Sequence, residues 1–221
     1  MSKAAAVIVA AGRGVRAGGT EPKQWQTLRG RPVLAHTLAA FQNHPDIAQI
    51  VLVLHEDDAG RADPYLDAQT IAVTGGSDRA TSAKHGLDAV TDASFVLIHD
   101  VARPLVTHRL ITRVIDALAG QSGAAPALAV TDALWTGSAG QVTGTMDRTG
   151  LYRAQTPQGF DLKSITDAHA AHPGGAADDV EVARAYGLDV SIVPGDEENI
   201  KITHAEDFAR AEQIMRGRDG H

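Results

Sequence analysis

The 221-residue chain contains no cysteine, and that absence removes several chemistries at once. There is no disulfide scaffold, no thiolate-held zinc or iron–sulfur cluster, and no thiol nucleophile. Aromatic residues are scarce at 4%, and no apolar stretch reaches the roughly 18 residues that a bilayer-spanning helix needs. Basic residues are outnumbered, with 20 Lys and Arg against 27 Asp and Glu, giving a net charge of −7. This balance argues against a nucleic-acid coat or a polybasic membrane binder. The short apolar run behind Lys3 has the outline of a secretion signal, but Arg13 and Arg16 stand where a cleavage region belongs. The run reads as a buried strand, and the expected location is the cytoplasm. Against these absences stands 43% hydrophobic content, ample for one core, so residues 1–221 are expected to form a single domain.

Short apolar runs alternate with helical patterns along the chain. Strands are expected at Ala5–Ala10, Ile50–His55, Ile71–Thr74, Phe95–His99, Ala125–Val130, Val190–Val193 and Ile200–Thr203. Most are continuously apolar, as befits strands covered on both faces. Helices are expected at Pro32–Asn43, Arg79–Val90, His108–Ala119, Leu162–His172, Val180–Tyr186 and Ala205–Arg216. The last has Thr203 and Glu206 spaced as a capping box, with Phe208, Ala211 and Met215 at helical spacing. Such alternation implies an α/β fold: a Rossmann-like, mostly parallel open sheet flanked by helices. Residues 131–159 break the rhythm with Gly137, Gly140, Gly144 and Gly150 and no helical period, and are expected to form a protruding β-hairpin arm turning at Asp147–Gly150. Its apolar Trp135, Met146, Leu151 and Tyr152 need cover, from a second subunit or from the arm's own domain.

Ligands of open α/β sheets bind at the carboxyl ends of strands, and four clusters fall there. The first follows the first strand: Ala10, Ala11, Gly12, Arg13, Gly14 and Arg16, with Lys23 further on. Glycines let backbone N–H groups approach an anion, and three cations suit a polyphosphate. The Gly12-x-Gly14-x-x-Ala17 spacing formally matches a dinucleotide fingerprint. Gly18, Gly19 and Pro22 deny it an immediate helix, however, and no acid between Glu21 and Asp46 can take the ribose. The second cluster, Gly75-Gly76-Ser77-Asp78 through Ser82, can wrap a base or phosphate, although Ser77 or Asp78 could simply cap a helix. The third, His99-Asp100-x-x-Arg103, offers a carboxylate and a guanidinium to a substrate, or to one another. The fourth places Lys201 in apolar alternation, facing either a ligand or solvent. No His-Glu-x-x-His or Gly-x-Ser-x-Gly element is present, and Asp178-Asp179 reads as a helix-dipole pair rather than a metal site. Cations and glycines without an evident base or nucleophile suit phosphoryl or nucleotidyl transfer, where positioning and charge carry the catalysis.

These blocks, in this order, resemble the 2-C-methyl-D-erythritol 4-phosphate cytidylyltransferases, and the resemblance covers essentially the whole chain. It runs through Ala-Ala-Gly-x-Gly-x-Arg, Pro22-Lys23-Gln24, Gly75-Gly76 with Arg79 and Ser82, and His99-Asp100-x-Ala-Arg103-Pro104. It continues through Asp147-Arg148-x-Gly150-Leu151, Thr156-Pro157-Gln158 and Asn199-Ile-Lys201-Ile-Thr203. The resemblance implies the nucleotidyltransferase type of the fold. It also implies transfer of a cytidylyl group from CTP to methylerythritol phosphate, with ribitol 5-phosphate or another sugar phosphate as the alternative acceptor. Arg16, Lys23 and Lys201 would be catalytic. Ala10, Ala11, Gly12, Gly14, Gly75, Gly76, Ser77 and Ser82 would hold CTP, and Asp100, Arg103 and Thr145 the acceptor. It further implies Mg²⁺ carried mainly on the CTP phosphates, with no protein ligand assigned, and a homodimer joined through the 131–159 arm. The chain departs from the family pattern in having Lys163 near the place of an acceptor-gripping arginine, Ser77 for an aspartate, and Ala177 for a threonine.

Overall fold

The computed structural model describes residues 3–13 and 21–220. The first strand, β1 (Ala4–Ala10), is buried along its whole length and forms the centre of an eight-stranded sheet. Alternation decides which face each residue serves. Ala4, Ala6, Ile8 and Ala10 join one apolar cluster, while Val7, Val9 and Ala11 join the other. Two short strands, β2 (Thr27–Leu28) and β3 (Arg31–Pro32), lead into α1 (Val33–Gln42), then β4 (Ile47–Leu54), β5 (Thr70–Thr74), α2 (Arg79–Asp88) and β6 (Phe95–Asp100). Strands β6, β1, β4 and β5 lie side by side and parallel. α3 (His108–Ala117) and β7 (Gly123–Ala129) follow.

The segment expected as one long arm divides in two. Only β8 (Leu134–Ser138) and β9 (Gln141–Met146) form a separate hairpin. Its turn is Ala139–Gly140, where both residues have positive φ, and not Asp147–Gly150. Asp147 instead builds a second turn by accepting from the Thr149 N–H and hydroxyl at 2.9 Å. The chain then re-enters the main sheet as β10 (Tyr152–Ala154) and β11 (Gln158–Asp161), antiparallel to β7 and, for β11, to β6 as well. α4 (Leu162–Ala171), α5 (Asp179–Ala185), β12 (Val190–Pro194) parallel to β7, and α6 (Glu206–Asp219) complete the fold. Trp135, Val142 and Met146 on the hairpin are exposed, as are Leu151 and Tyr152 after it.

Two layers of helices cover the sheet. α1 and α3 pack Leu34, Leu38, Phe41, Leu110, Ile111 and Val114 on one face. α2, α4 and α5 pack Ala83, Leu87, Ile165, Ala168, Val182 and Ala183 on the other. Residues 200–203 are a correction: they are not a strand, but an extended segment whose Ile202 N–H donates to the Ala102 carbonyl at 2.8 Å. The alternation is real, because Ile202 is buried with Leu28, Leu105 and Ala211 while Lys201 faces the other way. The Thr203–Glu206 capping box is also absent. The Asp207 carboxylate takes the Thr203 and His204 N–H groups instead. Among the described residues no helix is long and apolar enough to cross a membrane.

One glycine sets how closely α2 approaches the sheet. A Cβ at Gly86 would lie 2.4 Å from Val7 Cγ1 and 2.8 Å from Val53 Cγ2. Alanine normally favours a helix interior, but here neither branched strand side chain can yield. Gly86→Ala is therefore expected to destabilise by about 1–3 kcal/mol, read as a fall in Tm; a raised Tm would show that α2 can lift off its strands.

Candidate active site

The close approach of α2 brings its first turn to the carboxyl ends of β1, β4, β5 and β6. There a cavity of about 380 Å³ opens, lined among others by Ala10, Ala11, Gly12, Lys23, Gly76, Ser77, Arg79, Ser82, Asp100 and Lys201. A second cavity of about 150 Å³ adjoins it and shares Arg79, Asp100 and Lys201; it adds Arg103, Thr156, Gln158, Ala177 and Asp178. The shared residues form the wall between the two. The larger cavity carries Arg13, Lys23, Arg79 and Lys201 against only Asp78 and Asp100, so the cleft is cationic in a chain of net charge −7.

The glycine pair after β5 is required by space. A Cβ at Gly75 would meet Ala11 Cβ at 2.5 Å, and one at Gly76 would meet Thr81 Cγ2 at 2.2 Å. The loop is held by its own side chains: the Gly76 N–H donates to Ser82 Oγ (3.0 Å), and that hydroxyl donates to the Asp78 carbonyl (2.8 Å). Asp78 is the N-cap of α2, accepting from the Thr81 N–H at 2.9 Å, which keeps its carboxyl below the usual range. Ser82 thus shapes the loop from beneath. Gly12 has open space where a Cβ would stand, leaving its backbone accessible from the cavity.

Asp100 is the electrostatic hub. Its Oδ2 accepts from Lys201 Nζ at 2.7 Å and its Oδ1 from Arg79 Nε at 3.3 Å. Burial alone would raise this carboxyl, but Arg79 and Lys201 outweigh burial and hold it well below the usual range. Arg79 reaches onward to fully buried Asp179 at 2.7 Å, and His169 Nε2 meets the same carboxylate at 3.1 Å. Burial opposes the Arg79 charge, yet the two carboxylates raise its pKa; Asp179 is lowered against burial by His169 and Arg79. Asp179 is therefore an ion-pair member, where the acidic pair had suggested a helix-dipole role. Asp178 does serve the helix, capping α5 through the Glu181 N–H at 3.0 Å. Arg103 does not pair with Asp100. Its guanidinium donates to the Asn199 (2.8 Å) and Ala154 (3.2 Å) carbonyls, and its Nε is buried without a partner.

Lys23 lines the larger cavity with Nζ donating to the Ile202 carbonyl at 3.0 Å. Arg13 faces Asp57 and Asp58 at 3.5 and 3.6 Å. Gly14 and Arg16 lie outside the described residues. Thr145 stands on β9, and Lys163 pairs with Asp167 on the exposed side of α4; neither lines either cavity. Sequence reasoning gave no individual role to Arg79 or Gln158, and missed the ion pairing of Asp179. Gln158 Oε1 accepts from the N–H groups of Asp179 and Val180 at 3.1 Å, helping to cap α5. Their signal was faint, since each lies far along the chain from its partners.

His99 is fully buried behind Asp100, and burial pushes its imidazole down to about 3, although Asp100 pulls the other way. The unfolded ring titrates near 6.5, so between that pH and about 3 the unfolded chain binds the extra proton. Stability is complete above 6.5 and falls as the pH drops below it, by about 1.4 kcal/mol per pH unit at most. Calorimetry is expected to show a lower Tm at pH 5 than at pH 7.5, with the slope reduced in His99→Phe; equal slopes would contradict a buried neutral ring.

The comparisons with known proteins agree with this geometry. Residues 4–217 match the sequence model of one family, IspD, described as 2-C-methyl-D-erythritol 4-phosphate cytidylyltransferase. The chain belongs to this family. It is 60% identical over 222 residues to the 2-C-methyl-D-erythritol 4-phosphate cytidylyltransferase of Roseobacter denitrificans, covering 99% of this chain and 100% of that one. It is 59% identical over 218 residues to the bifunctional enzyme IspD/IspF of Rhodobacter capsulatus, covering 98% of this chain but 57% of that protein's length. Among solved structures, the cytidylyltransferase from Thermus thermophilus superposes with a TM-score of 0.82 at 32% identity. That match covers 95% of this chain and 98% of the other. The nucleotidyltransferase type of α/β fold implied by the resemblance is thus found.

Proposed function

We propose that the chain joins CTP and 2-C-methyl-D-erythritol 4-phosphate, giving 4-diphosphocytidyl-2-C-methyl-D-erythritol and pyrophosphate. The observation that carries this reading is the pair of adjoining cavities sharing Arg79, Asp100 and Lys201. Two substrates held side by side need such a common wall. CTP occupies the larger cavity, its base and ribose against the backbone of Ala10, Ala11, Gly12 and Gly14 and the loop Gly75–Ser82. Lys23 lines that cavity, and the resemblance implies that Lys23 and Arg16 neutralise the α-phosphate. The acceptor occupies the smaller cavity, its hydroxyls on Asp100 and Arg103.

An acceptor phosphate oxygen attacks the α-phosphorus as the bond to pyrophosphate breaks. The acceptor phosphate is already an anion, so no general base is required. Lys201 offsets the repulsion between the two anions, and Lys23 with Arg16 takes up the charge that develops in line. Lys201 is held for this by Asp100.

Mg²⁺ bound with the nucleotide would neutralise part of the triphosphate charge. The described residues do not furnish a cation site of their own: no three His, Cys, Asp or Glu side chains cluster. Both oxygens of the cleft carboxylate Asp100 are engaged by Arg79 and Lys201. The resemblance implies that Mg²⁺ would be carried by the phosphate oxygens of the nucleotide, and no protein ligand is assigned. Thr145 and Lys163 reach the acceptor only from a second copy, joined through the β8–β9 hairpin whose apolar residues that copy covers. The chain works in the cytoplasm.

Pyrophosphate release is to be measured with CTP and each acceptor separately. Turnover with methylerythritol phosphate far above that with ribitol 5-phosphate is expected. The reverse preference would assign a different acceptor to the same fold, and no release with any acceptor would reject catalysis.

A further inference from the structure

Behind the wall of the smaller cavity lies a closed circuit of hydrogen bonds with His99 as its pivot. His99 Nε2 is 3.2 Å from the Arg103 carbonyl, and Arg103 Nη1 donates to the Asn199 carbonyl at 2.8 Å. Asn199 Nδ2 donates to the Thr156 carbonyl at 2.8 Å, and Thr156 Oγ1 returns to His99 Nδ1 at 3.0 Å. Outside the ring, the Asp100 N–H donates to the same Thr156 Oγ1 at 3.2 Å. The four members come from three separate segments: the end of β6, the link between β10 and β11, and the loop before α6.

The polarity of this circuit has one consistent solution. A carbonyl can only accept, so the Nε2 facing Arg103 must carry the ring proton. The neutral ring then leaves Nδ1 as an acceptor. Thr156 Oγ1 already accepts from Asp100, so its own proton is available to Nδ1. Each donor along this path meets an acceptor, although Arg103 Nε and Asn199 Oδ1, which lie off it, are buried without partners, and neither His99 nor Asn199 is exposed to solvent. Phe41 of α1 packs against the imidazole with ring centroids 5.0 Å apart, fixing its plane.

We propose that His99 is a positioning residue that sets the acceptor side of the cleft, holding Arg103, Thr156 and the backbone of Asp100 in register through its Nε2–H tautomer. It touches no substrate. The inference rests on the reading of the smaller cavity as the acceptor site. A phenylalanine at 99 keeps the ring volume but strands the Arg103 carbonyl and the Thr156 hydroxyl. Misplacing a substrate-holding group by a fraction of an ångström is enough to lower catalytic efficiency severalfold or more.

Steady-state kinetics of the full chain, with each substrate varied in turn, test this. His99→Phe is expected to raise the acceptor KM by about tenfold and leave the CTP KM unchanged. His99→Gln, which keeps the Nε2-like donor, and His99→Asn, which keeps an acceptor near Nδ1, are each expected to recover part of that loss. A fall in Tm with both KM values unchanged, or with both shifted alike, would make the role merely structural and overturn the proposal. Should His99→Phe fail to fold, nitrogen-15 spectra of the wild-type histidines at pH 7.5 decide: a His99 proton on Nε2 supports the proposal, and one on Nδ1 or on both nitrogens overturns it. Wild-type protein that does not turn over with methylerythritol phosphate would instead defeat the functional reading, and the positioning role with it.

Discussion

Lys23→Ala is expected to lower kcat on the order of 10²–10³-fold, the usual consequence of removing a preorganised charge aimed at the transition state. The reasons lie in how the side chain is held. Lys23 is half-buried, and the Ile202 carbonyl fixes its ammonium at 3.0 Å on the wall of the larger cavity. A cation fixed in advance needs no reorganisation when negative charge moves onto the leaving pyrophosphate. On the placement proposed above, the ground-state triphosphate also meets other cations and backbone, so CTP binding should weaken far less than turnover. Folding should suffer little, since one hydrogen bond to a carbonyl contributes about 1 kcal/mol net. Saturating kinetics together with calorimetric CTP binding separate the two effects. Near-normal kcat in the variant would remove Lys23 from the catalytic role. Arg16→Ala is expected to behave in the same way.

Asp179→Ala addresses stability rather than chemistry. Asp179 is fully buried, bonded to Arg79 at 2.7 Å and His169 at 3.1 Å. Deleting it leaves the Arg79 guanidinium with only the longer contact to Asp100, in surroundings where an unpaired charge is strongly disfavoured. Breaking a buried pair by removing one partner costs about 3–5 kcal/mol. At roughly 2–4 °C per kcal/mol for a domain of this size, Tm should fall by about 6–20 °C. Arg79 would also be free to turn fully toward Asp100, loosening Lys201, so activity should decline at temperatures where the variant remains folded. Lys163→Ala is the control: its pair with Asp167 is on the surface, and such pairs contribute little. A Tm change as large in Lys163→Ala as in Asp179→Ala would refute this division.

Much of the architecture was legible because apolar runs and helical periods are local signals. The buried strand Ala4–Ala10 and the positions of all six helices follow from them. The strand-end rule then gathered Ala10–Gly12, Gly76, Ser77, Asp100 and Lys201 into one cleft. What escaped was long-range pairing. β10 and β11 are short strands entering a sheet whose other members are distant in sequence, so residues 151–159 looked like part of an arm. Residues 200–203 alternate as a strand would, yet they join no sheet, and the Ile202 N–H donates to the Ala102 carbonyl. Nothing near Arg79 announces Asp179 one hundred residues later, and nothing near His99 announces Thr156. The Asp100–Arg103 spacing left open a local pair beside substrate contacts, whereas the backbone turn sends Arg103 toward the Asn199 and Ala154 carbonyls. Buried charge networks are set by tertiary packing, and sequence spacing carries little of them.

Direct attack of one substrate phosphate on the other, arranged by charge and position with no enzyme nucleophile, has a stereochemical signature. CTP bearing one sulfur of defined configuration on its α-phosphorus can be turned over with methylerythritol 4-phosphate, and the configuration of the product read by phosphorus NMR. A single in-line displacement inverts that centre, and inversion is the expected result. Retention would mean two displacements through a covalent enzyme intermediate, and would contradict a cleft that works by cations alone.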